Sequence, residues 1–156
     1  MRRSDREVTD ISEIRSILSR CKVLRIAMTD ENGLYIVPMN FGWEMDGDLL
    51  TIYLHSAKEG RKVSAFMSGC PVAFETDCDT ALKQGDIACK YGYLYSSIIG
   101  NGNISHVTDD DEKAHALECI MQSQTGSTFS FTKEQTDTVF VFKISADSYS
   151  CKARKA

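Results

Sequence analysis

Two periodicities share this chain, and Gly, Asn and Asp mark most of the joints between them. Ile11, Ile14 and Leu18 recur at helical spacing behind an Asp10–Glu13 pair that matches a capping box, so a first helix is predicted over about 11–20. Lys22 to Thr29 is apolar and extended. Asp30-Glu31-Asn32-Gly33 then forms a strong turn signal, because Asn-Gly tolerates the positive φ of a tight hairpin. Leu34 to Trp43 is the expected return strand, and Asp46-Gly47 marks a second hairpin into Leu49–Leu54. The first half of the chain thus reads as a helix followed by three consecutive antiparallel strands.

Lys58 to Met67 reads as a short helix with Val63, Phe66 and Met67 on one side. Pro71–Thr76 is strand-like, and the polar stretch Thr76–Gly85 reads as a hairpin region with a loop. Tyr91–Val107 is a long extended segment in which Gly92, Gly100 and Gly102 predict bends or bulges. Asp109–Gln124 is predicted helical. Its three leading aspartates suit the positive end of the macrodipole, and Ala116, Leu117, Ile120 and Met121 keep helical spacing. Val139–Ile144 is the last predicted strand, with Cys151–Ala156 as a basic, mobile tail. Short strands joined by tight turns, with two or three peripheral helices, predict a small antiparallel barrel.

Composition narrows the function. The 156 residues suit a single domain, with a core expected over about 5–150. A net charge of −4 disfavours general nucleic-acid binding. No apolar run approaches the roughly 18 residues that span a bilayer. The start, MRRSDREVTD, has no apolar stretch behind its arginines, so a secretory signal is not expected and a cytoplasmic location is. Six cysteines (Cys21, Cys70, Cys78, Cys89, Cys119, Cys151) form no CxxC or CxxxC unit, so reduced thiols and no metal site are expected.

Candidate chemistry gathers in Leu49–Lys62, where a strand breaks at His55-Ser56-Ala57 and runs into a short helix. A hydroxyl, backbone N–H groups and the cations Arg61 and Lys62 at one corner suit a phosphate ester. In isolation, two adjacent cations are an ordinary solvated surface. His55 ends the strand, where a surface or dimer-contact histidine is the plain reading; its imidazole could also hydrogen-bond a ligand or donate a proton near neutral pH. His106 and His115 fall in different elements and read as structural. Ser56 and Ser97 have no sequence-adjacent base, so they suit ligand contacts better than nucleophilic catalysis.

Four pieces in consistent order carry a family resemblance: Ile36-Val37-Pro38-Met39-Asn40-Phe41, Tyr53 to Lys62, Tyr95 to Gly102, and Asp109 to Gly126. Together they resemble the pyridoxamine-phosphate-oxidase-like split-barrel flavoproteins, in particular the group related to nitroimidazole-resistance proteins. The resemblance implies a mainly β, α+β fold, a six-stranded antiparallel split β-barrel with peripheral helices. It implies FMN held at the interface of a homodimer. The strand Val37, Pro38, Met39 and Asn40 would lie along the isoalloxazine ring through backbone groups, with His55 and Ser56 toward the ribityl-phosphate side. Arg61 and Lys62 would hold the phosphate, Ser97 would contribute from a neighbouring strand, and His55 is the single candidate catalytic residue. The chain departs from the family pattern at Leu94–Ser96, where an arginine is usual. The implied activity is FMN-dependent reduction of a small organic acceptor, for example a nitroaromatic. The alternative is a flavin-binding store or sensor dimer without turnover, and split barrels also accept a deazaflavin or heme in place of FMN.

Overall fold

A computed structural model of the chain describes residues 3–155; Met1 and Arg2 of the leader reading and Ala156 of the expected tail lie outside them. Helix α1 (Ile11–Arg20) starts where the sequence predicts, with the Asp10 carboxylate accepting from the Glu13 N–H at 3.0 Å. Ile14, Ile17 and Leu18 turn inward and plug one end of the core. Strands β2 (Leu24–Asp30) and β3 (Gly33–Met39) follow as a two-residue hairpin that Gly33 closes at φ 98°.

The expected strand Leu34–Trp43 is two strands. The chain turns at Asn40–Phe41, and β4 (Gly42–Asp46) pairs not with β3 but with β5 (Leu49–Ser56). Phe41 is fully buried at the corner, and Gly42 presses against helix α3 (Asp110–Thr125). A Cβ at Gly42 would stand 2.7 Å from the Cys119 carbonyl oxygen, so only glycine lets helix and strand approach this closely. Helix α2 is shorter than expected, Arg61–Met67, with Gly60 entering it at φ 118°. Val63 and Phe66 are buried, whereas Met67 points to solvent.

Strand β6 (Pro71–Lys83) runs through the segment expected to be a hairpin loop. Its register shifts between Cys78 and Ala81, where Asp79 takes a left-handed φ of 59°. The Arg20 guanidinium and the Ser96 hydroxyl, each 2.8 Å away, hold the Asp79 carboxylate in that bulge. Strand β7 (Gly92–Val107) carries the expected irregularity at Asn101–Gly102. Helix α3 is capped by Asp109 and stopped by Gly126, and a single turn α4 (Lys133–Thr136) follows behind a Thr132–Gln135 capping box.

Strand β8 is the largest departure from expectation. It extends over Phe140–Arg154 and pairs with β5, β7 and the two-residue β1 (Glu7–Val8). Cys151 is buried in the core, so the basic tail is a strand rather than a mobile end up to Arg154. Polar Ser145, Asp147, Ser148 and Ser150 had concealed it.

The strands form one antiparallel sheet in the order β3-β2-β6-β7-β8-β5-β4 with β1 off the path, an open and strongly curved sheet consistent with a split barrel. Among the described residues it holds eight strands rather than the expected six, because β1 is added and β3 and β4 are separate. The main core lies inside the curve, lined by Leu24, Ile26, Phe74, Ile98, Phe142 and Ile144 with α1 and α2 at its ends. A second, smaller core of Tyr53, Val141, Ala116, Leu117 and Ile120 glues α3 to the outer face of β4, β5 and β8. No described helix is long and apolar enough to cross a membrane.

Candidate functional site

Alternation along β5 sends Leu50, Ile52, Leu54 and Ser56 into the main core and Tyr53 and His55 outward under α3. His55 lines a hollow of about 310 Å³ with Leu117, Ile120, Met121, Phe131, Gln135, Thr138 and Val139. Those apolar walls lower the imidazole pKa by desolvation, although one edge of the ring stays open to solvent. That desolvation favours the neutral ring, which has one N–H to donate and one nitrogen to accept. Val139 also borders a second hollow with Lys58, His106 and Phe140, where the Lys58 ammonium lies 5.7 Å from the Phe140 ring centre.

Ser56 is buried, and its hydroxyl donates to the Ala57 carbonyl at 2.7 Å. The two cations separate in environment. Arg61 reaches back to the β2–β3 turn, grips both Asp30 oxygens at 2.7 and 2.8 Å, and stacks on the Tyr35 ring at 4.3 Å. The guanidinium holds the Asp30 carboxyl below the usual carboxylate range. This pair edges a hollow of about 500 Å³ that also includes Asn32, Ser64 and Ser68. Lys62 is half-buried and makes no ion pair or side-chain hydrogen bond among the described residues.

The β3 positions divide by face. Val37 and Met39 pack inward, and Pro38 faces outward opposite Arg25. The Asn40 amide donates to the Lys22 carbonyl and to Gln124, which ties the corner to the end of α3. β3 pairs only with β2, so its other edge leaves backbone N–H and C=O groups unpaired within the described residues. Ser97 sits in the middle of β7 between Asp77 and Lys152, on the outer face. Among the described residues the structure therefore joins His55, Ser56 and Lys62 through one strand–helix junction. It places Val37–Asn40 and Ser97 on a different part of the sheet.

Among the described residues no helix packs over that outer face of β3, β2, β6 and β7. Leu34, Ile36, Tyr93 and Ile99 are exposed there, with a band of Arg25, Glu75 and Asp77 in ion pairs.

One grouping was not anticipated. Glu44 on β4 and His115 and Cys119 on α3 converge on a single point, with Tyr53 behind them. The His115-x3-Cys119 spacing, one helical turn, was the sequence signal available for it.

The family model described as pyridoxamine 5'-phosphate oxidase matches residues 10–153. The chain belongs to this family. Among solved structures of the same fold is a proposed 5-nitroimidazole antibiotic resistance protein from Bacteroides thetaiotaomicron. It is 31% identical with a TM-score of 0.78, over 94% of this chain and 86% of that one. An FAD- and heme-binding protein from Mycobacterium smegmatis shares the fold at 16% identity and a TM-score of 0.79, covering 97% of this chain and 74% of that one. An FAD-binding protein from the same organism shares it at 20% identity and a TM-score of 0.62, covering 95% and 98%. No curated protein is significantly similar in sequence.

Proposed function

We propose that the protein binds FMN at the interface of a homodimer and acts as a flavin-dependent oxidoreductase on a small organic acceptor, nitroaromatics included. The observation that carries this reading is the β5–α2 junction of a pyridoxamine 5'-phosphate oxidase family member. His55, which lines an apolar hollow, Ser56 and Lys62, which has no ion pair among the described residues, all belong to that junction. The residues fit a flavin phosphate. Among the described residues no carboxylate pairs with Lys62, and Arg61 can join it by exchanging Asp30 for the phosphate. The unpaired edge of β3 at Val37–Asn40 fits a planar ring with alternating donors and acceptors, and Pro38 contributes only its carbonyl. Ser97 would be supplied to the site across the dimer, from the bare face. Bound flavin would supply the electron-transfer chemistry. His55, whose neutral form the apolar wall favours, would orient the cofactor or acceptor and carry a proton. The Bacteroides thetaiotaomicron relative, a proposed 5-nitroimidazole resistance protein, supports the choice of acceptor.

Visible absorption of the purified protein after FMN addition and desalting tests the cofactor, and NAD(P)H oxidation with an added nitroimidazole tests the turnover. Replacing Arg61 and Lys62 together with alanine should weaken FMN binding by about tenfold or more, since each charge-assisted hydrogen bond contributes about 1.5–3 kcal/mol. The circular dichroism spectrum should not change. Full flavin occupancy in that double variant would overturn the phosphate assignment. Retained flavin that NAD(P)H cannot reduce would point to the non-catalytic store or sensor.

A further inference from the structure

We propose that Glu44, His115 and Cys119 form a site for a divalent transition metal, zinc foremost, whose fourth position opens on the cavity beside α3. His115 and Cys119 are four residues apart on α3, so both side chains leave the same helical face. Glu44 comes from β4, which Gly42 allows to lie against that face without intervening side-chain bulk. The His115 Nε2 is 2.8 Å from Glu44 Oε2 and 3.5 Å from Cys119 Sγ, and all three donor atoms lie within 4.8 Å of one another. Metal–ligand bonds of roughly 2.0–2.3 Å at tetrahedral angles place neighbouring donors about 3.3–3.6 Å apart, so the nitrogen–sulfur separation already matches and the nitrogen–oxygen pair must open slightly.

Donor chemistry selects the ion. One thiolate, one imidazole and one carboxylate suit zinc or cobalt(II), while magnesium and calcium take oxygen ligands. The second Glu44 oxygen accepts from the Tyr53 hydroxyl at 2.6 Å, which fixes the carboxylate with Oε2 toward the histidine, the kind of outer support metal carboxylates use. On binding, Cys119 would release its thiol proton and the imidazole would carry its proton on Nδ1, freeing the Nε2 lone pair. The metal's two positive charges would then be balanced by the thiolate and the carboxylate. Burial and the nearby Glu44 and Glu118 carboxylates push the metal-free thiol up to about 11. A cation at the centre reverses the effect of those carboxylates. Three protein ligands leave one position for water or a small ligand. His115 and Cys119 border a cavity of about 710 Å³ with Trp43, Glu118, Gln122 and Phe129, roomy enough for an organic molecule.

The test is a cobalt(II) titration of the chelator-stripped full chain, read as difference spectra so that bound flavin cancels. One equivalent should give a thiolate-to-cobalt charge-transfer band and visible bands of tetrahedral intensity, both removed by zinc. Cys119→Ser should abolish the charge-transfer band, and His115→Ala and Glu44→Gln should each weaken binding at least tenfold. Cys89→Ser, at an exposed cysteine remote from the site in sequence, should change neither. Circular dichroism confirms that each variant is folded. Absence of the band at excess cobalt, its survival in Cys119→Ser, or weak octahedral spectra indifferent to all three substitutions would overturn the proposal. The readout needs no flavin, so it stands or falls apart from the cofactor reading.

Discussion

Arg61 and Lys62 show how far neighbours in sequence can diverge in environment. Arg61 is already engaged by Asp30 and Tyr35, and Lys62 is not. Residue types could announce a cationic corner, but only the fold shows that the β2–β3 turn brings a carboxylate to one of the two. His55 likewise ends a strand in the sequence, yet the apolar wall that lowers its pKa comes from α3 and the segment after it, more than sixty residues downstream. Because that pKa is depressed on folding, the unfolded chain takes up the proton more readily. Stability should therefore be intact above about pH 6.5 and fall as the solution is acidified through that value. His106, lowered by burial and by Lys113, acts in the same direction. His55→Gln should flatten the pH dependence of the urea midpoint below about pH 6.5. An unchanged slope would mean that the ring is as hydrated as in a free peptide.

Elements with punctuation were legible and elements without it were not. Both hairpins of the first half stand where Asn-Gly and Asp-Gly predict them, and α1 and α3 begin at their aspartate caps. The corner at Asn40–Phe41 is invisible in the sequence because nothing local breaks an apolar, alternating run; the corner packs against α3, a tertiary event. The far half of β8 was missed because its outward residues are serines and aspartate, and a solvated strand face looks like a loop in one dimension. The bulge in β6 looks like a loop in the sequence for a related reason: Asp79 adopts a conformation unusual for its type, and its stabilising partners lie on α1 and β7. Gly42→Ala tests the corner directly. The added methyl must push α3 away from β4, at a cost of about 1–3 kcal/mol, measurable by chemical denaturation. The same displacement would pull Glu44 from His115.

Over the whole molecule, the contrast is between two outer faces of one sheet. α3 covers β4, β5 and β8, while β3, β2, β6 and β7 remain bare with Leu34, Ile36 and Ile99 showing. Patches of this kind on a folded chain mark association surfaces, and the proposed site needs residues from both sides of such a contact. Ile36→Glu should convert the proposed dimer to a monomer in sedimentation or light scattering and weaken the proposed FMN binding at the same time. A dimer that survives with flavin bound would place the contact elsewhere.

The central place of β8 also has a consequence for synthesis. It lies between β7 and β5, so until residues 140–154 are available the strands made before it form two separate pieces, β3-β2-β6-β7 and β5-β4. During translation the inner edges of both pieces, with Ile98, Ile104, Ile52 and Leu54 on them, wait exposed while the intervening helices emerge. A ribosome that pauses within this stretch would hold out two unpaired strand edges to chaperones, to proteases, or to a second nascent chain.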